Sequence, residues 1–322
     1  MRRNKRATAC FLAWMCLFNI CFFSSCRYHT EPEQVYPVSA MGFDRVEEEI
    51  RVTVEIAMEA GEHSAVCFSQ TGEHVATALQ DLADGLPRAL IFSHCALAVL
   101  GEELTKEQMQ EIFAFAGVED GLPLAAEVVI SQNAEALLRG ERLSSIAAGY
   151  EIPQILEQER IRRGVELPCQ IYRLRSVFSP DLPVTLPRLE RSDEIPTVRF
   201  VGLEILRPNA PSYRLDAADC LSHAILTNTC ADGVKSGILW KALLEKLVIA
   251  EDGEIVLNLR LELEGGSPEE QTLLLEELQR KTENLYQRAT EATGEDLFWL
   301  EQRMEGVPWS SDMKLTVKCE VK

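Results

Sequence analysis

Between Ile255 and Leu263 the chain places an aliphatic residue at every second position: Ile255, Leu257, Leu259, Leu261 and Leu263. Side chains alternate across a strand, so this spacing defines a strand with one buried face. It also fixes the register, because a slip of one residue would turn all five into water. Gly265-Gly266 ends the run, and Ser267-Pro268-Glu269-Glu270 comes next. A serine cap, a proline at the first helical position and a glutamate three residues after the cap predict a long helix through Ala292. Met313, Leu315, Val317, Cys319 and Val321 then resume the alternation as a last strand. Strand, long helix and strand in that order define an α+β arrangement with a helix packed on a sheet.

Similar patterns extend upstream. Val35 to Met58 reads as two extended segments, with Gly42, Phe43 and Asp44 near the turn of a hairpin. Gly72 to Leu82 has helical spacing and stops at Gly85-Leu86-Pro87. Ala89 to Leu100 is apolar on both faces apart from Ser93 and His94, as expected of one strand in the middle of a sheet. Leu104, Met109, Ile112, Phe113 and Ala116 form a helical stripe, and Pro123 to Ile130 returns as a strand. A short helix from Ala134 to Arg139 is closed by Gly140, and Leu143 to Arg163 is helical with an interruption at Pro153. Val198 to Leu206 is a strand, and Leu215 to Leu226 a helix that Asp216 would cap.

The body is therefore expected to be a multi-domain α+β structure with mixed sheets and helices packed on them. Between Phe178 and Pro196 the sequence turns proline-rich and poor in bulky apolar residues. That places a domain boundary between segments 26–190 and 197–322, a bent surface loop within one domain being the competing reading.

The first 25 residues are of another kind. Arg2, Arg3, Lys5 and Arg6 precede an uncharged apolar run from Ala7 to Ser25, the layout of an export signal. Basic residues stay on the cytoplasmic side, so the chain beyond the apolar run is placed across the membrane. Small Ser24 and Ser25 stand directly before Cys26, as in a bacterial lipobox, with Phe23 where leucine is usual. Residues 1–25 are thus read as a lipoprotein signal peptide and Cys26 as the lipidation site. An uncleaved apolar anchor is the competing reading, since a run of roughly 20 apolar residues can also span a bilayer. Either arrangement leaves the body outside and tethered, and several acyl chains on Cys26 would hold it stably.

A formal net charge of −19 argues against nucleic acid as a partner and against electrostatic attraction to anionic lipid. Six of the ten cysteines lie beyond Cys26: Cys67, Cys95, Cys169, Cys220, Cys230 and Cys319. They form no C-x-x-C pair and no zinc-type spacing, so no metal is expected and nothing requires a disulfide.

The chain also lacks a dinucleotide fingerprint, a phosphate-binding P-loop, a zinc-protease helix and a nucleophile elbow. Gly233-Val234-Lys235-Ser236-Gly237 is read as a flexible turn. His94 and Cys95, adjacent on a strand, would point to opposite faces and could not act together. Trp299 and Trp309 are read as core residues, a partner-facing role being the alternative. No catalytic residue and no cofactor are expected, and the protein is not read as an enzyme.

The order of these blocks resembles a known family, the C subunits of nutrient germinant receptors of endospore-forming bacteria, the Ger(x)C lipoproteins. The residues that carry the resemblance are Cys26, VSAMGFD from Val38 to Asp44 and IRVTVEIA from Ile50 to Ala57. PRALIFSHCALAVLGEEL from Pro87 to Leu104 is the most specific match, continued by PLAAEVVI from Pro123 to Ile130 and the AEALL helix from Ala134. The C-terminal strand, long helix, tryptophan and final strand also fit. Arg27-Tyr28 stands where the family commonly has Trp-Asp, and the region near Gly294 lacks the family's glycine-rich turn.

The resemblance implies a non-catalytic, lipid-anchored accessory subunit on the outer face of the spore inner membrane. It would be assembled with two integral membrane subunits, A and B, and required for the germination response. The alternative of another class is an extracytoplasmic solute-binding lipoprotein, which would need two α/β lobes with a cleft between them.

Overall fold

The computed structural model describes residues 35–321 except 59–64, 119–120, 141–145, 168, 178–182, 193, 195, 208–209, 231, 236, 251–252 and 305. The signal segment and Cys26 lie outside the described residues.

The described residues form two sheets, the larger of nine strands. β1 (Val35–Val46), β2 (Glu49–Ala57) and β3 (Ala65–Gly72) form an antiparallel wing. β4 (Ala89–Ile91) and β5 (Leu97–Gly101) both run parallel to β1. β6 (Glu127–Ser131) and β7 (Val184–Arg191) continue the parallel centre, and β8 (Val198–Arg207) and β9 (Ala210–Asp216) close a second antiparallel wing. Every residue of β5 and β6 is buried, which is why both read as unbroken apolar runs: parallel strands are covered on both faces.

One face is covered by α1 (Val75–Asp84), α2 (Lys106–Phe115) and α5 (Ile171–Val177), which share a core with Met41, Phe43, Val52 and Leu100. The other face carries α3 (Ala134–Arg139) and α4 (Ala148–Arg163) over Ala40, Leu97 and Val129. That core continues past α6 (Cys220–Thr227) into the second sheet, in the order β10 (Gly233–Lys235), β11 (Ile238–Ile249), β12 (Ile255–Glu264) and β13 (Leu315–Val321).

In the second sheet, Ile255, Leu257, Leu259 and Leu261 are at most 1% exposed. They share a core with Leu274, Leu278, Leu285 and Ala289 of α7 (Pro268–Thr293). Each such side chain contributes roughly 1.5–3 kcal/mol relative to exposure. The Ser267 side chain accepts the Glu270 amide at 3.2 Å and the Glu270 carboxylate accepts the Ser267 amide at 2.7 Å, the reciprocal cap expected from the sequence. The α+β class is borne out, and Ala134–Arg139 and the C-terminal strand, helix and strand fall where expected.

Several local expectations are corrected. The hairpin turn lies at Glu47-Glu48, where Glu47 has φ +56°, because β1 continues through Gly42–Asp44 to Val46. Ala89–Leu100 is two strands, not one. β1 shifts register between Val38 and Ala40, so β4 pairs Val35–Pro37 and β5 pairs Ala40–Phe43, with a turn between them. Pro123–Ala126 forms a turn before β6. Pro153 does not interrupt α4, which runs through it from Ala148 to Arg163 and forgoes the one bond its nitrogen would donate. Leu215 and Asp216 end β9, and α6 begins at Cys220 after a 3-10 turn, without a side-chain cap from Asp216. Gly233–Lys235 is a short strand against β11, with Gly237 in the turn at φ +81°.

The proline-rich stretch contributes β7, whose Val184–Arg191 pairs along β8. The expected division between 26–190 and 197–322 thus falls inside the nine-stranded sheet, which continues to Asp216.

Candidate functional site

The sequence blocks that carry the family resemblance meet at two buried carboxylates. Asp44, from VSAMGFD, accepts the amides of Ala134 and Glu135 at 2.7 and 2.8 Å. Burial pushes its carboxyl up, against the two amides that draw it down. Glu55, from IRVTVEIA, is fully buried and accepts Ala148 N at 2.8 Å, Gly149 N at 2.9 Å and the Ser39 hydroxyl at 2.8 Å. The first amides of a helix form an anion-binding site. At α3 and α4 that site is filled by the protein's own strands, so these carboxylates fasten helices to the sheet.

The Gly101-Glu102-Glu103-Leu104 block is the third piece. A Cβ on Gly101 would stand 2.5 Å from the Asp44 carboxylate and 3.1 Å from the Phe43 carbonyl, so glycine lets β5 pass close to β1. Glu102 accepts Arg188 Nε at 2.9 Å and also pairs with Arg214. Arg214 Nε reaches Glu204, 1% exposed, at 3.0 Å, and Ser212 donates to the same carboxylate. The network ties the end of β5 to β7, β8 and β9.

The sequence brought His94 and Cys95 together as strand neighbours; the structure puts His94 exposed in the turn between β4 and β5. Cys95 is buried and its thiol donates to Leu97 O at 3.4 Å. Burial pushes the thiols of Cys95, Cys169, Cys220 and Cys230 up to about 12 and that of Cys319 up to about 11. A thiol reacts as its thiolate, so these five are poor nucleophiles at neutral pH. Cys95, Cys169, Cys220, Cys230 and Cys319 are free thiols. Trp309 donates to the Tyr286 hydroxyl at 3.2 Å, which itself donates to Met313 O at 3.1 Å, and this places Trp309 in the packing of α7.

Sequence reasoning missed a cavity of about 220 Å³ between α5, β7, β8 and α6. Its wall is largely carbon, with Leu174, Val184, Leu203 and Ala224 among the lining residues. His223 also lines it, with Nε2 3.2 Å from Thr185 Oγ1 and its ring edge-on to Phe298. Burial pushes the imidazole down to about 4, so it is neutral at physiological pH. Trp299 forms another part of the wall, in the left-handed region at φ +55°, and its indole N–H is buried without an acceptor among the described residues. The walls come from segments far apart in sequence, and no motif marks them.

Among the described residues no cluster of three or more His, Cys, Asp or Glu could hold a metal ion. No described helix is long and apolar enough to cross a membrane.

The fold is of the α+β class, a mixed sheet with helices fastened to it by internal carboxylates. Residues 29–190 match the family model for the spore germination protein N-terminal domain, and the chain belongs to that family, the one its N-terminal blocks resemble. Among solved structures the chain is similar to the crystal structure of the GerBC protein, with a TM-score of 0.52 at 12% identity, covering 88% of this chain and 96% of that one. At that identity the likeness shows the fold. No curated protein matches the chain.

Proposed function

We propose that the chain is a lipid-anchored, non-catalytic accessory subunit of a nutrient germinant receptor. It is held through acylated Cys26 on the outer face of the spore inner membrane and assembled with two integral membrane subunits. The observation that carries the reading is the family match over residues 29–190, where the blocks VSAMGFD, IRVTVEIA and PRALIFSHCALAVLGEEL lie. The GerBC-like fold, spanning nearly the whole of that structure, supports it. The described polar clusters favour a scaffold over a catalyst. Asp44, Glu55 and Glu102 are engaged with backbone amides or arginines, and five thiols are held protonated.

Two acyl chains or more give stable attachment where one gives only marginal binding. The reading therefore expects Cys26→Ala to shift the chain from the membrane fraction, or to leave an uncleaved precursor there, and to lose label from an alkyne-bearing fatty acid. Spores carrying only that variant should respond to the receptor's nutrient more slowly by an order of magnitude. Undiminished labelling and a normal response in Cys26→Ala spores would rule out the anchor.

A further inference from the structure

A second cavity, of about 200 Å³, lies between the end of α4, the start of α6, the β10–β11 hairpin and α7. We propose that it binds a small organic carboxylate whose apolar body is about the size of one aromatic ring.

The charge of the wall sets the head group. Arg162, Arg163 and Lys281 line it, and none of the described residues that line it carries a carboxylate, in a chain whose net charge is −19. Arg162 and Arg163 share one carboxylate, that of Glu159, at 2.9 and 2.8 Å, so the end of α4 brings one positive charge more than this partner cancels. Lys281 pairs with Glu277, one turn back along α7, at 2.7 Å. Asp219, between the wall residues Ala218 and Leu221, is held by Arg288 at 3.0 Å. The side chains of Arg162 and Lys281 are 69% and 39% exposed, so both cations are within reach of an incoming anion, and the exposed ion pairs they make are weak competitors. Ser222 adds a neutral donor: it lines the same wall at 2% exposure, and its hydroxyl has no partner among the described residues.

Size and lining set the body. An apolar protein cavity of about 150 Å³ accepts benzene, so about 200 Å³ takes one ring with its carboxylate. Leu221, Val234, Trp240 and Leu278 supply the carbon for the ring. An inorganic anion would leave that carbon unused, and a zwitterion would set its ammonium among three cations. An occupant joins cations of α4, on the first sheet, to one of α7, on the second, and stabilises their union by mass action. None of this depends on the receptor reading.

The test is saturation-transfer NMR on the purified full chain with four probes: phenylacetate, phenylacetamide, phenylalanine and inorganic phosphate. Phenylacetate is expected to bind about ten-fold more tightly than phenylacetamide, the difference between a charge-assisted hydrogen bond and a neutral one. Phenylalanine and phosphate are expected to be weaker than phenylacetate by about ten-fold or more. Arg162→Gln combined with Lys281→Gln, both at exposed side chains, should weaken phenylacetate by about five-fold or more and leave phenylacetamide unchanged. Val234→Glu, which sets a carboxylate in the wall, should weaken phenylacetate likewise. No phenylacetate binding at millimolar concentration, any of the other three probes binding as tightly as phenylacetate, or phenylacetate binding that survives either variant, overturns the proposal. Should a variant fold poorly, the order of the four probes on the unaltered chain decides by itself.

Discussion

Glu55 on β2 accepts the amide of Ala148 at 2.8 Å, across a sequence separation of 93 residues, and so fixes the start of α4 over the sheet. Its second oxygen takes Gly149 N and the Ser39 hydroxyl, the latter from the point where β1 shifts register. One carboxylate thus holds a strand irregularity and a helix start together. In Glu55→Gln an amide NH₂ would face a donor, leaving at least one buried amide unpaired. A loss of about 2–3 kcal/mol in urea unfolding is expected; a loss below about 0.5 kcal/mol would show that the carboxylate is dispensable.

Gly149 offers a test of sign. In a helix, glycine to alanine ordinarily stabilises by up to about 1 kcal/mol. Here a Cβ would stand 2.0 Å from the Ser39 carbonyl oxygen, on backbone that cannot swing away. Gly149→Ala is therefore expected to destabilise by about 2 kcal/mol or more, read as a lower urea midpoint.

His223 makes the fold sensitive to acid. Its folded pKa is about 4, below the ordinary value of 6.5, so between these the unfolded chain binds the extra proton. This contribution is fully present above pH 6.5 and is lost as pH falls toward 4. It amounts to at most about 3 kcal/mol at roughly 1.36 kcal/mol per pKa unit. Unfolding at about pH 7.5 and about pH 4.5, on either side of most of that window, should differ by less in His223→Gln than in the wild type; an equal difference would place the acid sensitivity elsewhere.

At the start of α7, Ser267→Ala removes the oxygen that accepts the Glu270 amide. About 1 kcal/mol of stability should be lost, and Ser267→Asp should retain most of it. Thermal melts of the two variants check this, equal midpoints being the contrary result.

The parts legible in the sequence are those where one periodicity covers a whole element. The Ile255–Leu263 alternation and the Ser267 cap are local, and the structure keeps both. The Ala89–Leu100 run misleads because its turn is flanked by core residues: Phe92 and Cys95 are buried, while Ser93 and His94 between them are exposed. Leu215 fits a helix by its spacing with later residues, yet pairing with Leu203 holds it in β9. Asp44, Glu55 and the cavity are invisible in the sequence for one reason. Each depends on residues tens of positions apart, and a carboxylate in an apolar strand has no local signature of the helix it will cap. The family resemblance is legible because its blocks coincide with the strands at the sheet centre, where packing permits few residues.

That this chain works as an anchored subunit of a membrane receptor is tested most directly by its company in the membrane. The measurement is co-purification of the membrane-extracted protein from dormant spores of the source bacterium, with mass spectrometry of its partners and its N-terminal peptide. The expected result is an acylated Cys26 at the N-terminus together with two polytopic membrane subunits in fixed proportion. An acylated chain recovered alone with a bound small molecule would contradict the receptor reading and favour a solute-binding lipoprotein.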